Sequence, residues 1–165
     1  MNKLLLFYFT ICTSLLFAQD LSVERIWKNY EFSPKRAEGY KSMNDGEYYT
    51  VVKSGNSIYK FKLNDVNDKG SIVLNGDKLI VDGVKIEFDD YEFNSDESKI
   101  LLLTNVAPIY RHSYQAVYYL FDLSTQKVTP LDTEHSPQTL AEYSPDGTKV
   151  SFIHGNDLFV KTIAS

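Results

Sequence analysis

Arg111 lies between Tyr110 and His112, and Ser113 and Tyr114 follow at once. A guanidinium is planar, permanently charged and forked, so it suits a carboxylate or a peptide oxygen. The same arginine would serve equally as one half of a solvated ion pair. His112 is a candidate general base, or a loop histidine that packs and donates one hydrogen bond. Ser113 beside it makes no triad, because triad partners converge from separate segments. Tyr110 and Tyr114 either line a pocket around Arg111 or anchor its loop. His135 and His154 fall in turns without ligand spacing, so with three histidines and one cysteine in the chain no metal site is expected. Asp89-Asp90 offers an acidic pair for an amine or a cation, or else a solvated strand end. The sequence contains no GxSxG elbow, phosphate loop or HExxH motif, so no catalytic residue and no cofactor are expected.

The elements that must position these residues repeat. Asp45, Asp96 and Asp146 are spaced 51 and 50 residues apart, and each sits in a turn followed by a short apolar strand. In Ser144-Pro145-Asp146-Gly147 the proline presets one backbone angle, the aspartate accepts backbone hydrogen bonds, and the glycine takes a left-handed position. Alternating strands recur downstream of each turn, over Ser57 to Leu63, Val117 to Leu123 and Asp157 to Lys161. This periodicity predicts an all-β fold, a partial β-propeller of about three blades. A short helix is expected within LSVERIWKNY, residues 21–30. DGVKIEFDDYEF, 82–93, reads as a strand pair, and residues 64 to 78 as turns.

In the first and third repeats the hairpin closes on Gly55-Asn56 and Gly155-Asn156, a pair that tolerates positive φ. The second repeat holds NVAPIYRHSYQ, residues 105–115, in that place. An insertion in one repeat unit becomes an excursion from the scaffold, often on the binding face. Arg111 is therefore read as carried by a long loop.

The first eighteen residues have the layout of a secretory signal peptide, with one charge, an apolar run and Ala18 at the cut. Removing them removes Cys12, so the exported chain, periplasmic or extracellular, would hold no thiol. It would carry 16 basic and 22 acidic side chains, a net charge of −6. The basic residues are scattered, so nucleic acid is not an expected partner.

FNSDESKILLLTNVAPIYRHSYQAVYYLFDL and YSPDGTKVSFIHGNDLFVK resemble the N-terminal part of a bacterial dipeptidyl peptidase IV, of the prolyl oligopeptidase superfamily. The resemblance runs from about Leu21 to the last residue. It implies an eight-bladed propeller capping an α/β-hydrolase domain, and release of Xaa-Pro or Xaa-Ala dipeptides. The role it implies for Arg111 is to hold the substrate's peptide carbonyl at the active-site cavity; Tyr110, His112 and Tyr114 are further candidate substrate-binding residues by their position beside it. Residues 19–40 would then associate with the hydrolase domain and 41–165 would form the first blades. The family's glutamate pair and its serine, aspartate and histidine are not among these residues, so the chain is read as a truncated piece, inactive alone. Expected partners are the N-terminus of a peptide substrate, the hydrolase domain and a second copy of the full-length enzyme. The alternative is a non-catalytic exported propeller that binds a peptide or protein.

Overall fold

The computed structural model describes residues 21–34, 39–53 and 56–163. The expected signal peptide, Gly55 and the junction at 35–38 lie outside the described residues. The chain divides into two units, Met1–Ala37 and Glu38–Ser165. In the first, the expected helix is a single π-helical turn, Glu24–Lys28. The Asn29 amide reaches back to the Glu24 carbonyl at 3.0 Å, a five-residue span. Lys28 pairs with Glu24 at 2.7 Å, and Arg25 pairs with Glu31.

The second unit is built of antiparallel sheets stacked in chain order. The first blade runs β1 (Lys41–Ser42), β2 (Tyr48–Lys53), β3 (Ser57–Lys62) and β4 (Ser71–Leu74), paired in that order. A small hairpin follows, β5 (Ile80–Val81) with β6 (Val84–Lys85). The second blade consists of β7 (Asp90–Phe93), β8 (Lys99–Tyr110), β9 (Ser113–Asp122) and β10 (Lys127–Pro130). The third contains β11 (Thr139–Tyr143), β12 (Lys149–His154) and β13 (Asp157–Thr162). Residues 82–93 thus do not form one strand pair, because β6 turns back on β5 while β7 joins β8. The stretch read as turns, 64–78, contains β4.

The apolar run at the start of β8 explains the stacking. Successive side chains of a strand point to opposite faces. Ile100 and Leu102 enter a core with Ile58 and Leu74 of the first blade and Tyr91 and Phe121 of the second. Leu101 and Leu103 enter another, with Tyr118, Val150 and Phe152. The second blade is therefore covered on both faces. Its buried Tyr91 hydroxyl pairs with Thr50 of the first blade at 2.7 Å, which satisfies both polar groups. Lys41 caps the Tyr91 ring at 4.7 Å and pairs with Asp90 at 2.8 Å.

The three repeat aspartates build the same turn. Asp45 accepts from the amides of Glu47 and Tyr48, Asp96 from Ser98, and Asp146 from Thr148. The next residue is left-handed each time, with φ of 67° at Gly46, 57° at Glu97 and 69° at Gly147. Glu97 takes that conformation without being glycine, and its carboxylate accepts from the Asn44 amide at 2.6 Å. Asn44 also donates its side-chain amide to the Ser95 carbonyl at 2.8 Å, so adjacent blades clasp through their turns.

Gly147 meets the same clasp from the other side. A Cβ there would lie 2.8 Å from Ser95 Oγ, whereas one at Gly46 would meet open space. Gly147→Ala is therefore expected to cost about 1–3 kcal/mol. Gly46→Ala carries only the backbone term, about 1–2 kcal/mol. Urea titrations of the pair check the order; equal losses would show that the turn contact contributes nothing.

Asp146 also sets a pH dependence. Hydrogen bonds from Ser144 and Thr148 draw its carboxyl down from 3.8 to about 2. A folded-state value below the unfolded one means the stabilisation is complete above about pH 4 and is lost as pH falls toward 2. Asp146→Asn is expected to flatten that part of the stability profile, measured by thermal melts between pH 2 and 6.

Candidate functional site

The second blade's central hairpin outgrows its neighbours. In the first blade the hairpin closes at Lys53↔Ser57, with Asn56 at φ 55°. In the third it closes at His154↔Asp157, with Gly155 at φ 61°. In the second blade the pairing continues through Thr104↔Val117, Ala107↔Gln115 and Pro108↔Tyr114 to Tyr110↔Ser113. The excursion expected as a loop is thus a two-stranded β-arm, and only Arg111 and His112 form its turn. Register shifts fall between Thr104 and Ala107 and between Pro108 and Tyr110, with Asn105 at φ 52°. Such bulges bend and re-aim a hairpin.

The arm's root is braced on both strands. The Val106 amide donates to the Asp89 carboxylate at 3.1 Å, and Asp89 N reaches the Leu103 carbonyl at 2.7 Å. The Thr104 hydroxyl donates to the Val117 carbonyl at 2.9 Å. On the return strand Ala116 makes an antiparallel bridge with Gln138. Of the acidic pair, Asp89 therefore serves the arm and Asp90 serves Lys41.

The sequence-derived residues separate into two places. Tyr110, Arg111 and His112 are exposed at the tip, and Tyr110 is 77% accessible. Among the described residues Arg111 makes no ion pair and no hydrogen bond, so its fork is free for an external oxygen. Tyr114 stands back from the tip, half-buried against the core between the second and third blades. It lines a cavity of about 150 Å³ with Leu103, Leu140 and Ala141. Behind it the Tyr118 phenol is raised above its ordinary value, chiefly by burial and then by its neighbour Tyr114. Tyr114 is an anchor, whereas Tyr110 is presented outward.

His135 lies in a bend as expected, whereas His154 is the last residue of β12 and not a turn residue, because its pairing with Asp157 carries the strand to the hairpin. Their rings are 5.7 Å apart, and His135 packs on Phe159 at 4.1 Å. Among the described residues no group of three or more His, Cys, Asp or Glu side chains is arranged to hold a metal. Gln138, which the sequence reading passed over, is fully buried. Its only local signal is a polar residue between a proline and a strand.

Stacked antiparallel sheets, opened by one recurring aspartate turn and carrying one elongated hairpin, define consecutive blades of a β-propeller. The dipeptidyl peptidase IV (DPP IV) N-terminal region matches residues 94–165, and the chain belongs to this family as an N-terminal propeller portion. A Schizosaccharomyces pombe protein described as a dipeptidyl aminopeptidase is 33% identical over 67% of this chain and 14% of its own. Dipeptidyl peptidase 4 of Trichophyton equinum is 31% identical over 72% of this chain and 14% of its own. The crystal structure of Porphyromonas gingivalis dipeptidyl peptidase 4 superposes with a TM-score of 0.71 at 27% identity, over 88% of this chain and 20% of that one. The chain thus spans about a seventh of the curated relatives' length, 14% in both cases.

Proposed function

We infer that this chain supplies the substrate-holding arm of an exported serine-type dipeptidyl peptidase that releases Xaa-Pro or Xaa-Ala dipeptides. The observation that carries the reading is the unpaired Arg111 guanidinium at the tip of the braced β-arm. There it donates to a carbonyl oxygen of the peptide substrate, with Tyr110 and His112 beside it at the turn. The acyl-transfer chemistry needs an activated nucleophile and a base. Those groups belong to an α/β-hydrolase domain in the longer polypeptide, which the arm faces. An apolar N-terminus of signal type supports export, and no helix among the described residues is long and apolar enough to cross a membrane.

The test is hydrolysis of a Gly-Pro chromogenic substrate by the full-length polypeptide that carries this chain. Release of the chromophore together with the intact dipeptide is the expected result. Peptide binding without hydrolysis would replace this reading with that of a non-catalytic peptide-binding propeller.

A further inference from the structure

We propose that Gln138 is a positioning residue for the arm: from the segment ahead of the third blade it grips the arm's root and so sets where Arg111 points. This rests on the reading of Arg111 given above.

Gln138 is 0% accessible, the only residue of its segment to bury a side-chain amide among the described residues. Its backbone exchanges both hydrogen bonds with Ala116, at 2.9 and 2.8 Å. Ala116 is the residue at which β9 passes from the blade into the arm, between Val117↔Thr104 and Gln115↔Ala107. The Gln138 side chain then holds its own segment in shape. Nε2 donates to the Asp132 carbonyl at 3.1 Å and to the His135 carbonyl at 2.6 Å. That closes residues 132–138 into a compact loop around one amide. The loop is tied down twice more, by Leu131 N to the Tyr118 carbonyl at 2.8 Å and by His154 Nδ1 to the Pro137 carbonyl at 2.9 Å. The arm's return strand is thus fastened to a loop shaped by two groups. One is the Asp132 carboxylate, which accepts from the Glu134 and His135 amides at 2.8 and 3.1 Å. The other is the buried Gln138 amide, which alone ties both ends of the loop to the residue that bridges Ala116.

Leverage makes this matter at the tip. From Ala116 to the turn is a run of about four strand residues, on the order of 13 Å at roughly 3.3 Å each. A tilt of about 5° at the root then moves the turn by about 1 Å, and a misplacement of that size can cost up to a hundredfold in rate. Removing the Nε2 donor also leaves two part-buried carbonyls without their partner, which favours rearrangement of the loop. Gln138 touches no substrate and acts only through Arg111.

The experiment is a double-mutant cycle on the full-length polypeptide, reading kcat/KM for a Gly-Pro chromogenic substrate. Gln138→Met keeps the length of the side chain and deletes its donor. The expected loss is about tenfold in the native background and less than about twofold when added to Arg111→Ala, because both changes disable one contact. A full tenfold loss on top of Arg111→Ala would overturn the proposal, since Gln138 would then act independently of the arginine. No loss in the native background would overturn it too. If Arg111→Ala alone changes nothing, the functional reading falls and this inference with it; the two failures are therefore distinguishable. Should Gln138→Met not fold, Gln138→Asn keeps an amide but draws it back by one methylene, and hydrogen exchange reads the arm directly. Faster exchange over residues 105–116 with β12 unchanged is the expected pattern; equal acceleration in β12 would make Gln138 a general stabiliser and end the proposal.

Discussion

Arg111→Ala is expected to lower kcat/KM of the full-length polypeptide on a Xaa-Pro substrate by about 5- to 150-fold. The range corresponds to losing one charged hydrogen bond, about 1–3 kcal/mol. The structure makes the experiment clean. Arg111 has no ion pair or hydrogen bond among the described residues, so its removal leaves no buried partner behind. It is exposed at a turn, so the melting temperature should stay within about 1–2 °C of the parent, as for surface changes away from structural features. Arg111→Lys keeps the charge and loses the planar fork, so it should recover only part of the loss. His112→Ala, at the same turn, separates a general effect of disturbing the tip from loss of the guanidinium. If His112→Ala is as damaging as Arg111→Ala, the tip acts as a shape rather than through its charge. An unchanged kcat/KM in Arg111→Ala would remove the proposed role altogether.

The blades were legible in the sequence because their turns are decided locally. An aspartate that accepts the amides two or three residues on needs nothing from the rest of the chain, and Asp45, Asp96 and Asp146 each do this. The fully apolar start of β8 likewise announced a strand covered on both faces, which the two cores confirm. The arm was placed correctly but misread as a loop. Its two register shifts and Pro108 interrupt the alternation by which a strand is recognised, although the pairing runs on to Tyr110↔Ser113. Short edge strands such as β4 and β10 were missed for a related reason: with four residues each, they carry too little pattern to stand out from turns. The tyrosines show a harder limit. Tyr110 and Tyr114 are the same residue type four positions apart, yet one is presented to solvent and the other packs on a core. Only the register of the arm and the bulge between Pro108 and Tyr110 separate them. Gln138 is harder still, because its partner Ala116 is 22 residues away and meets it through backbone atoms that carry no sequence signature.

The second large effect lies in the neighbouring pair Leu101 and Leu102, both fully buried. Each truncation to alanine is expected to cost about 2–5 kcal/mol, the lost transfer energy plus the cavity left behind. What distinguishes them is where the damage goes. Leu102 faces the core shared with Ile58 and Leu74, so its truncation weakens the contact between the first and second blades. Leu101 faces Val150 and Phe152, so its truncation weakens the contact between the second and third. In a stack of repeats each unit contacts only its neighbours, and local opening follows the interface that has been weakened. Hydrogen exchange in Leu102→Ala should therefore quicken first in β2 and β3, and in Leu101→Ala first in β12 and β13. The backbone pairing of β8 with β9 is common to both variants and should respond alike. If both truncations accelerated the same set of amides, the blades would be melting as one block, and the independence of the two cores would be lost. Such coupling would also bear on the arm, since its root at Thr104 and Val117 continues the strands that carry these leucines. With the cores independent, Leu102→Ala should spare the Tyr114 anchor and leave the arm's own exchange nearly unchanged, whereas Leu101→Ala, on the Tyr114 side, should loosen it.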